Sequence, residues 1–250
     1  MNPYESLKEK LHARQPVTIG NIMLLSGPYL LDAFSAFDCV LLDKEHGIYD
    51  TESLLPMLTH CRSIGLPTLV RVENSLYHLI AKAIDMGADG IMLPRTETVE
   101  QVRCAVEAMH FYPEGKTGFG GYGLFRKGET MEEFQRSRTL ILQIESREGL
   151  ENMPAMVEAY GRYIDGFMIG PNDYSIMIGH PCDHAHPEVA AEIGRVFRTA
   201  ARLGKSVGCF APGQEQALRY REMGANLFWI ADDASYIREG IRSYLEGLDL

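Results

Sequence analysis

The chain has 250 residues and a mass of 28.0 kDa, with 46% hydrophobic and 23% charged residues, which excludes a disordered chain, a collagen-like fibre and a coiled coil. Its 24 basic and 34 acidic residues leave a formal net charge of −10 with no basic cluster, which argues against nucleic acid and anionic lipid as partners. An anionic small molecule stays possible if a metal ion or a few arginines reverse the local field. The five cysteines (Cys39, Cys61, Cys104, Cys182 and Cys209) form no CxxC pair, and the first fifteen residues contain no apolar leader. These features point to a cytoplasmic chain without a disulfide framework or a thiolate zinc site.

Short apolar runs rich in β-formers predict strands at Thr18–Leu25, Cys39–Asp43, Thr68–Arg71, Gly90–Leu93, Thr139–Ile144, Gly166–Ile169, Ser206–Cys209 and Leu227–Ile230. They do not alternate strictly, as expected of parallel strands covered on both faces. Helical patterns such as Thr51–Ser63, Leu76–Met86, Val99–Met109 and Gln214–Met223 lie between them, several ending in a glycine suited to a left-handed cap. Eight repeats of this rhythm predict an α/β protein, a (β/α)8 barrel with residues 1–250 as its one domain. An open doubly wound sheet is the alternative, weakened because no GxGxxG follows the first strand. The stretches His110–Arg138 and Gly170–Pro187 exceed ordinary connections. Near the C-terminus, Ile237, Ile241, Tyr244, Leu245 and Leu248 recur at helical spacing, and that helix is expected to pack on its own barrel or on a neighbouring subunit.

Barrel chemistry belongs at the carboxyl ends of the strands. Those ends carry Asp43-Lys44-Glu45-His46-Gly47, Arg71, Pro94-Arg95, Glu145-Ser146-Arg147 and Gly170-Pro171-Asn172-Asp173. Glu145 and Asp173 end or follow consecutive strands, so they face the same mouth, where two carboxylates repel unless a cation or a shared proton joins them. A hard divalent ion, Mg²⁺ or Mn²⁺, suits such oxygen donors. Alternatively, Glu145 pairs with Arg147 and Asp173 caps a helix. His46, beside Asp43 and Glu45, is either a general acid/base or a hydrogen-bonded structural histidine. Arg71 suits an oxyanion, or a salt bridge to Glu45, Glu73 or Glu145.

His12, His60, His78 and His110 fall on helices or their ends and are expected at the surface. His180, His184 and His186 share a loop with no common zinc spacing, which favours packing over ligation. The run Gly118-Phe119-Gly120-Gly121-Tyr122-Gly123 reads as a mobile loop sooner than a phosphate cradle. Asp232 and Asp233 after the last strand disfavour a phosphorylated substrate.

Taken in this order, Asp43-Lys44-Glu45-His46-Gly47, Arg71-Val72-Glu73, Gln143-Ile144-Glu145-Ser146 and Gly170-Pro171-Asn172-Asp173-Tyr174-Ser175 resemble the HpcH/HpaI aldolase family, from about Thr18 to Tyr236. The resemblance also takes in Asp85-Met86-Gly87-Ala88, Leu93-Pro94-Arg95-Thr96, His186-Pro187-Glu188-Val189 and Gly204-Lys205. It implies a divalent-metal-dependent class II aldolase that cleaves a 4-hydroxy-2-oxo (2-keto-3-deoxy) acid to pyruvate and an aldehyde, or runs the reverse. By resemblance, Glu145 and Asp173 hold the metal, with Mg²⁺ or Mn²⁺ favoured and Co²⁺ or Zn²⁺ as alternatives. Arg71 steadies the enolate, His46 with Asp43 is the acid–base dyad, and Gln143 and the backbone of Gly170, Pro171 and Asn172 hold pyruvate. A homo-oligomer is implied, a hexamer in relatives.

Lys44, Arg95 and Tyr174 depart from the family pattern, as does the Gly118–Arg126 loop, whose arginine would be Arg126. These positions are expected to frame the aldehyde side of the pocket, with Lys44 and Arg95 hinting at an acidic or polyhydroxylated substrate. A citrate-lyase-like or oxaloacetate-decarboxylating enzyme using the same enolate is the rival. A non-catalytic barrel that binds a keto acid would need no acid–base dyad.

Overall fold

The computed structural model describes residues 3–120, 124–246 and 248 and places eight strands where the apolar runs predict them. They are β1 (Val17–Ile22), β2 (Cys39–Asp43), β3 (Thr68–Arg71), β4 (Gly90–Leu93), β5 (Thr139–Ile144), β6 (Gly166–Ile169), β7 (Ser206–Ala211) and β8 (Leu227–Ile230). All pairs are parallel and in chain order, and β8 returns to β1, so the sheet is a closed barrel and not an open one. β1 stops short of the predicted Leu25 because the N–H groups of Met23, Leu24 and Leu25 leave the ladder. All three donate to the Asp233 carboxylate. β7 runs past Cys209 because Phe210 and Ala211 pair with Trp229 and Ile230.

Helices α1 (Pro3–His12), α2 (Thr51–Ser63), α3 (Tyr77–Asp85), α4 (Val99–Met109), α5 (Met131–Ser137), α6 (Arg147–Tyr160), α7 (Pro171–Met177), α8 (Pro187–Arg202), α9 (Gln214–Glu222) and α10 (Asp233–Glu246) surround the barrel, with a 3₁₀ helix at Pro28–Ala36. Capping boxes built by Asp50 with Ser53, Thr98 with Gln101 and Thr130 with Glu133 start α2, α4 and α5. The larger apolar cluster fills the layer between sheet and helices. The smaller one lies inside the barrel, where Ile19, Leu41, Leu69, Met92, Ile141 and Met168 meet Leu7 and Leu11 of α1. That helix therefore plugs the amino-terminal end, each buried leucine contributing about 1.5–3 kcal/mol.

A four-fold device tightens the same end. Asp38, Asp89, Asp165 and Asn226 each directly precede an even-numbered strand. Their side chains accept the N–H of Thr18, Thr68, Leu140 and Val207, at the start of the preceding odd-numbered strand, at 2.8, 2.9, 2.9 and 3.0 Å. Lys10 pairs with Asp38 (2.5 Å), Lys8 and His12 with Asp165 (3.3 and 2.7 Å), and Arg126 with Asp89 (2.7 Å). These pairs spend the charged side chains of this end on the scaffold, and the carboxyl end is where barrel chemistry belongs.

Of α10, only Asp233 is buried. Ile237, Ile241, Tyr244, Leu245 and Leu248 are exposed, so packing of this face on its own barrel is not what the chain does. No described helix is long and apolar enough to cross a membrane.

Candidate active site

Asp43 and Arg71 are register partners at the last residues of β2 and β3, so both turn into the barrel. The guanidinium donates to both Asp43 oxygens, Nε to Oδ1 at 2.9 Å and Nη2 to Oδ2 at 2.5 Å. Its Nη1 lies 3.3 Å from Glu45 Oε2 and 3.5 Å from Gln143 Oε1, and its carbon sits 5.0 Å from the centre of the Trp229 ring. Arg71 is 4% exposed. A guanidinium held by a bidentate carboxylate, a second carboxylate and an aromatic face has little freedom left, which suits it to one oxygen at one place.

Gln143, on β5, continues the chain of contacts: its Nε2 donates to Glu145 Oε1 at 2.5 Å. Glu145 Oε2 accepts the backbone N–H of Arg95 at 3.0 Å. Burial pushes the Glu145 carboxyl up to about 7, with the charges of Asp173 and Glu45 adding to it. Arg147 turns instead to Glu188 and Glu192, so it does not neutralise Glu145. Asp173, in the first turn of α7, is partly exposed. Gly170 leaves the space for this arrangement, since a Cβ there would lie 2.2 Å from Glu145 Oε1 and 2.8 Å from Gln143 Nε2. A buried carboxylate with an adjacent like charge, and with no arginine ion-paired to Glu145 among the described residues, is a donor set that fits a hard divalent cation.

His46 follows β2, with 47% of its side chain exposed at the mouth. Its link to Asp43 runs through the backbone: Asp43 Oδ1 accepts the N–H of Glu45 and of His46, while the two oxygens serve Arg71. The carboxylate facing the imidazole is Glu45, whose Oε2 lies 3.8 Å from His46 Nε2. Burial pushes the Glu45 carboxyl above its usual range although Arg71, His46 and Arg95 surround it. The expected pairing of His46 with Asp43 is thus one of backbone to carboxylate, and the side chain nearest the imidazole is that of Glu45.

A cavity of about 210 Å³ opens above these groups, lined among others by Asn21, His46, Arg71, Gln143, Asp173 and Trp229. Asn21 Oδ1 and Trp229 Nε1 are buried there with no hydrogen-bond partner, and Phe210 lies edge-on to Trp229. The sequence reading missed Asn21, Phe210 and Trp229. Their signal was positional, since each stands at an inward place near the end of its strand, and Trp229 is the one tryptophan of the chain. Asp232 lines the cavity, whereas Asp233 is spent on the β1 turn.

Several expected mouth residues lie elsewhere. Tyr174 is buried and donates to Glu192 Oε2 at 3.1 Å, because α7 turns that face toward α8. Arg126 stacks on Tyr4 and bridges Asp89 and Glu129 at the opposite end of the barrel. Of the glycine-rich run, Gly121, Tyr122 and Gly123 fall outside the described residues. Lys44 pairs with Glu73 at 2.8 Å. Arg95 stays at the mouth, its exposed side chain 3.6 Å from Glu45 Oε1 and its backbone at φ 46°. His110 is buried, not at the surface; burial pushes its imidazole down to about 4. His184 reaches Asn172 Oδ1 at 2.7 Å, whereas His180 and His186 stack on one another beside Glu188.

A family model described as HpcH/HpaI aldolase/citrate lyase matches residues 25–238. Among curated proteins, a 5-keto-4-deoxy-D-glucarate aldolase of Escherichia coli is 31% identical over 237 residues, covering 92% of this chain and 91% of the relative. One of Salmonella paratyphi C is 32% identical over 232 residues, covering 90% of each. Among solved structures, an HpcH/HpaI aldolase/citrate lyase family protein of Burkholderia cenocepacia superposes with a TM-score of 0.87 at 25% identity over 100% of both chains. An HpcH/HpaI aldolase of Desulfitobacterium hafniense gives the same TM-score at 23% identity, covering 97% of this chain and 96% of that one, which speaks to the fold alone. With the family matched over most of its length and aldolases above 30% identity, the chain belongs to the HpcH/HpaI aldolase/citrate lyase family, as a carbon–carbon lyase of the class II pyruvate aldolase type.

Proposed function

We propose that the enzyme cleaves a 4-hydroxy-2-oxo acid to pyruvate and an aldehyde, and makes the same bond in reverse, with a divalent ion held by Glu145 and Asp173. The observation that carries this reading is Arg71, buried and pinned by Asp43 and Glu45 in a cavity that Gln143 and Asp173 also line, with the buried Glu145 carboxylate directly behind on the Gln143 amide. Cleaving the C3–C4 bond beside a ketone places negative charge on the ketone oxygen, so catalysis depends on what waits where that charge develops. When bound, the divalent ion supplies Lewis-acid polarisation of the 2-oxo group and charge neutralisation there. Arg71 donates to the developing enolate oxygen and, being already immobilised, pays little reorganisation in doing so. Gln143 orients Glu145 through its amide N–H, accepts from Arg71 with its oxygen, and so ties the two groups together at the edge of the pyruvate site.

Gly170, Pro171 and Asn172 open α7; Pro171 has no N–H to give, so the Asn172 N–H, without an intrahelical partner in the first turn, is the donor that suits the pyruvate carboxylate, with Gly170 and Pro171 shaping the approach. His46 removes the 4-hydroxyl proton and returns it in the synthetic direction, with Glu45 facing the imidazole and Asp43 fixing the backbone that carries it. Trp229 and Asn21 also wall the pocket, the first offering an N–H to a substrate oxygen and the second a carbonyl oxygen to a substrate hydroxyl. The substrates of the relatives make a dicarboxylic sugar-derived acid the first choice, and Arg95 at the mouth favours an acidic aldehyde half. Mg²⁺ or Mn²⁺ is preferred over Co²⁺ or Zn²⁺ by the oxygen donors. We further propose a cytoplasmic homo-oligomer, a hexamer by family resemblance, with the exposed face of α10 in a subunit contact.

The test is pyruvate release from a panel of 4-hydroxy-2-oxo acids before and after EDTA, with metals restored singly. The proposal expects release that EDTA abolishes and Mg²⁺ or Mn²⁺ restores, with no lysine trapped by borohydride. Activity surviving both EDTA and Glu145→Ala, or a trapped lysine adduct, refutes it.

A further inference from the structure

We propose that His180, His186 and Glu188 form a second cation site, one that takes a borderline transition-metal ion of the Zn²⁺ type and not the hard ion of the catalytic pair. The loop between α7 and α8 doubles back so that the His180 and His186 rings stack with centroids 3.5 Å apart and planes 18° apart. Glu188, in the first turn of α8, places Oε2 2.8 Å from His180 Nε2. One ligand atom from each of the three side chains lies within 4.8 Å of the others. Four donors around Zn²⁺ at about 2.1 Å stand about 3.4 Å apart, so side-chain rotations of roughly an ångström close the set with the backbone in place.

The linear spacing concealed this site, since His-x5-His-x-Glu matches no helical zinc motif; the reversal of the loop, not a helical period, brings the donors together. All three residues are partly or largely exposed, which leaves the fourth position to solvent and gives an ion direct access. Two imidazoles and one carboxylate favour borderline ions, whereas Glu145 and Asp173 offer oxygen alone. Arg147 holds the other oxygen of Glu188, fixing the carboxylate as outer partners fix metal ligands. His186 Nδ1 accepts the N–H of Glu188, and a tautomer exchange that gives up this one hydrogen bond frees Nε2 for the ion.

The position gives the site a consequence. Arg147 opens α6 directly after Glu145-Ser146, and the same loop reaches α7 through His184 on Asn172 (2.7 Å) and through the Cys182 N–H on Ser175 Oγ (2.9 Å). An ion at His180, His186 and Glu188 thus fastens the loop after β6 to the start of α8, behind the segments that carry Glu145 and Asp173. It stiffens the frame of the active site without touching substrate.

The test uses chelator-stripped full-length protein titrated with Zn²⁺ by calorimetry in excess Mg²⁺, with Co²⁺ absorption as the geometric readout. Wild type and Glu145→Gln are expected to bind one Zn²⁺ per chain that Mg²⁺ does not displace, with tetrahedral Co²⁺ bands. A His180→Ala/His186→Ala variant is expected to lose that binding by about 100-fold or more while keeping Mg²⁺-supported pyruvate release. Should the double variant misfold, His180→Gln, altered on an exposed loop, is put through the same titration with the same expectation. Zn²⁺ uptake unchanged by these substitutions, displaced by Mg²⁺, lost in Glu145→Gln, or absent from wild type overturns the proposal.

Discussion

Gly170→Ala isolates the geometry on which the account depends. The backbone at Gly170 (φ −89°, ψ 94°) accepts an L-residue, so the substitution adds no left-handed strain. Its cost is steric: the new Cβ would sit 2.2 Å from Glu145 Oε1 and 2.8 Å from Gln143 Nε2. Restoring ordinary contact moves the Glu145 carboxylate by about 1 Å, and displacements of that size cost about 100-fold in rate. Overpacking of this kind costs about 1–3 kcal/mol of stability, a fraction of what a folded domain of this size holds. The variant should therefore fold, melt a few degrees lower, bind Mg²⁺ more weakly and lose about two orders of magnitude in kcat/KM for pyruvate release. Steady-state kinetics across a Mg²⁺ titration, alongside thermal melts, read all of these. Wild-type kcat/KM and Mg²⁺ requirement in a folded Gly170→Ala protein would refute the placement of Glu145 at the reacting centre.

Glu145 also sets a pH dependence. Its carboxyl is raised from 4.5 to about 7 in the folded state, so its contribution to stability is full below the unfolded value and is lost as pH rises through about 7. Metal-stripped Glu145→Gln should match wild type near pH 4 and be more stable at pH 8, by up to about 3 kcal/mol. The Mg²⁺-induced rise in melting temperature should grow with pH through 7 in wild type and be absent from Glu145→Gln. Asp43→Asn leaves a buried guanidinium with half its charge partners, and is expected to cost about 3–5 kcal/mol in chemical denaturation and to collapse kcat/KM. His46→Ala should lower kcat by about 100–10,000-fold, as loss of a general acid/base does, with Mg²⁺ affinity and fold unchanged by calorimetry and circular dichroism. Loss of Mg²⁺ binding instead would assign His46 to the metal.

The barrel was legible because parallel strands covered on both faces must be apolar throughout, and runs such as Gly166–Ile169 admit few other readings. What lay outside the pattern was decided by single side chains acting across the fold. Asp233 pulls three N–H groups out of β1, and nothing in the run Thr18–Leu25 foretells that. Arg126 was expected at the mouth by resemblance, as the arginine of the Gly118–Arg126 loop, yet the buried Asp89 carboxylate, which needs a cation, holds it at the other end. Likewise, Asp43 and Glu45 both stand within three residues of His46 in sequence, and either could face its ring. The register of β2 with β3 separates them, giving Asp43 to Arg71 and leaving Glu45 to face the imidazole. Trp229 went unread because an inward aromatic near the end of β8 looks like core until its orphaned N–H is seen in the cavity.

The central claim is that Glu145, Asp173 and Arg71 together stabilise the enolate of pyruvate, and deuterium exchange into the methyl group of pyruvate tests it without any aldehyde. In D₂O with enzyme and Mg²⁺ or Mn²⁺, the methyl proton signal should decay by NMR. It should persist after EDTA, in Glu145→Gln and in Arg71→Lys. Exchange that continues undiminished without metal, or in either variant, would contradict the account.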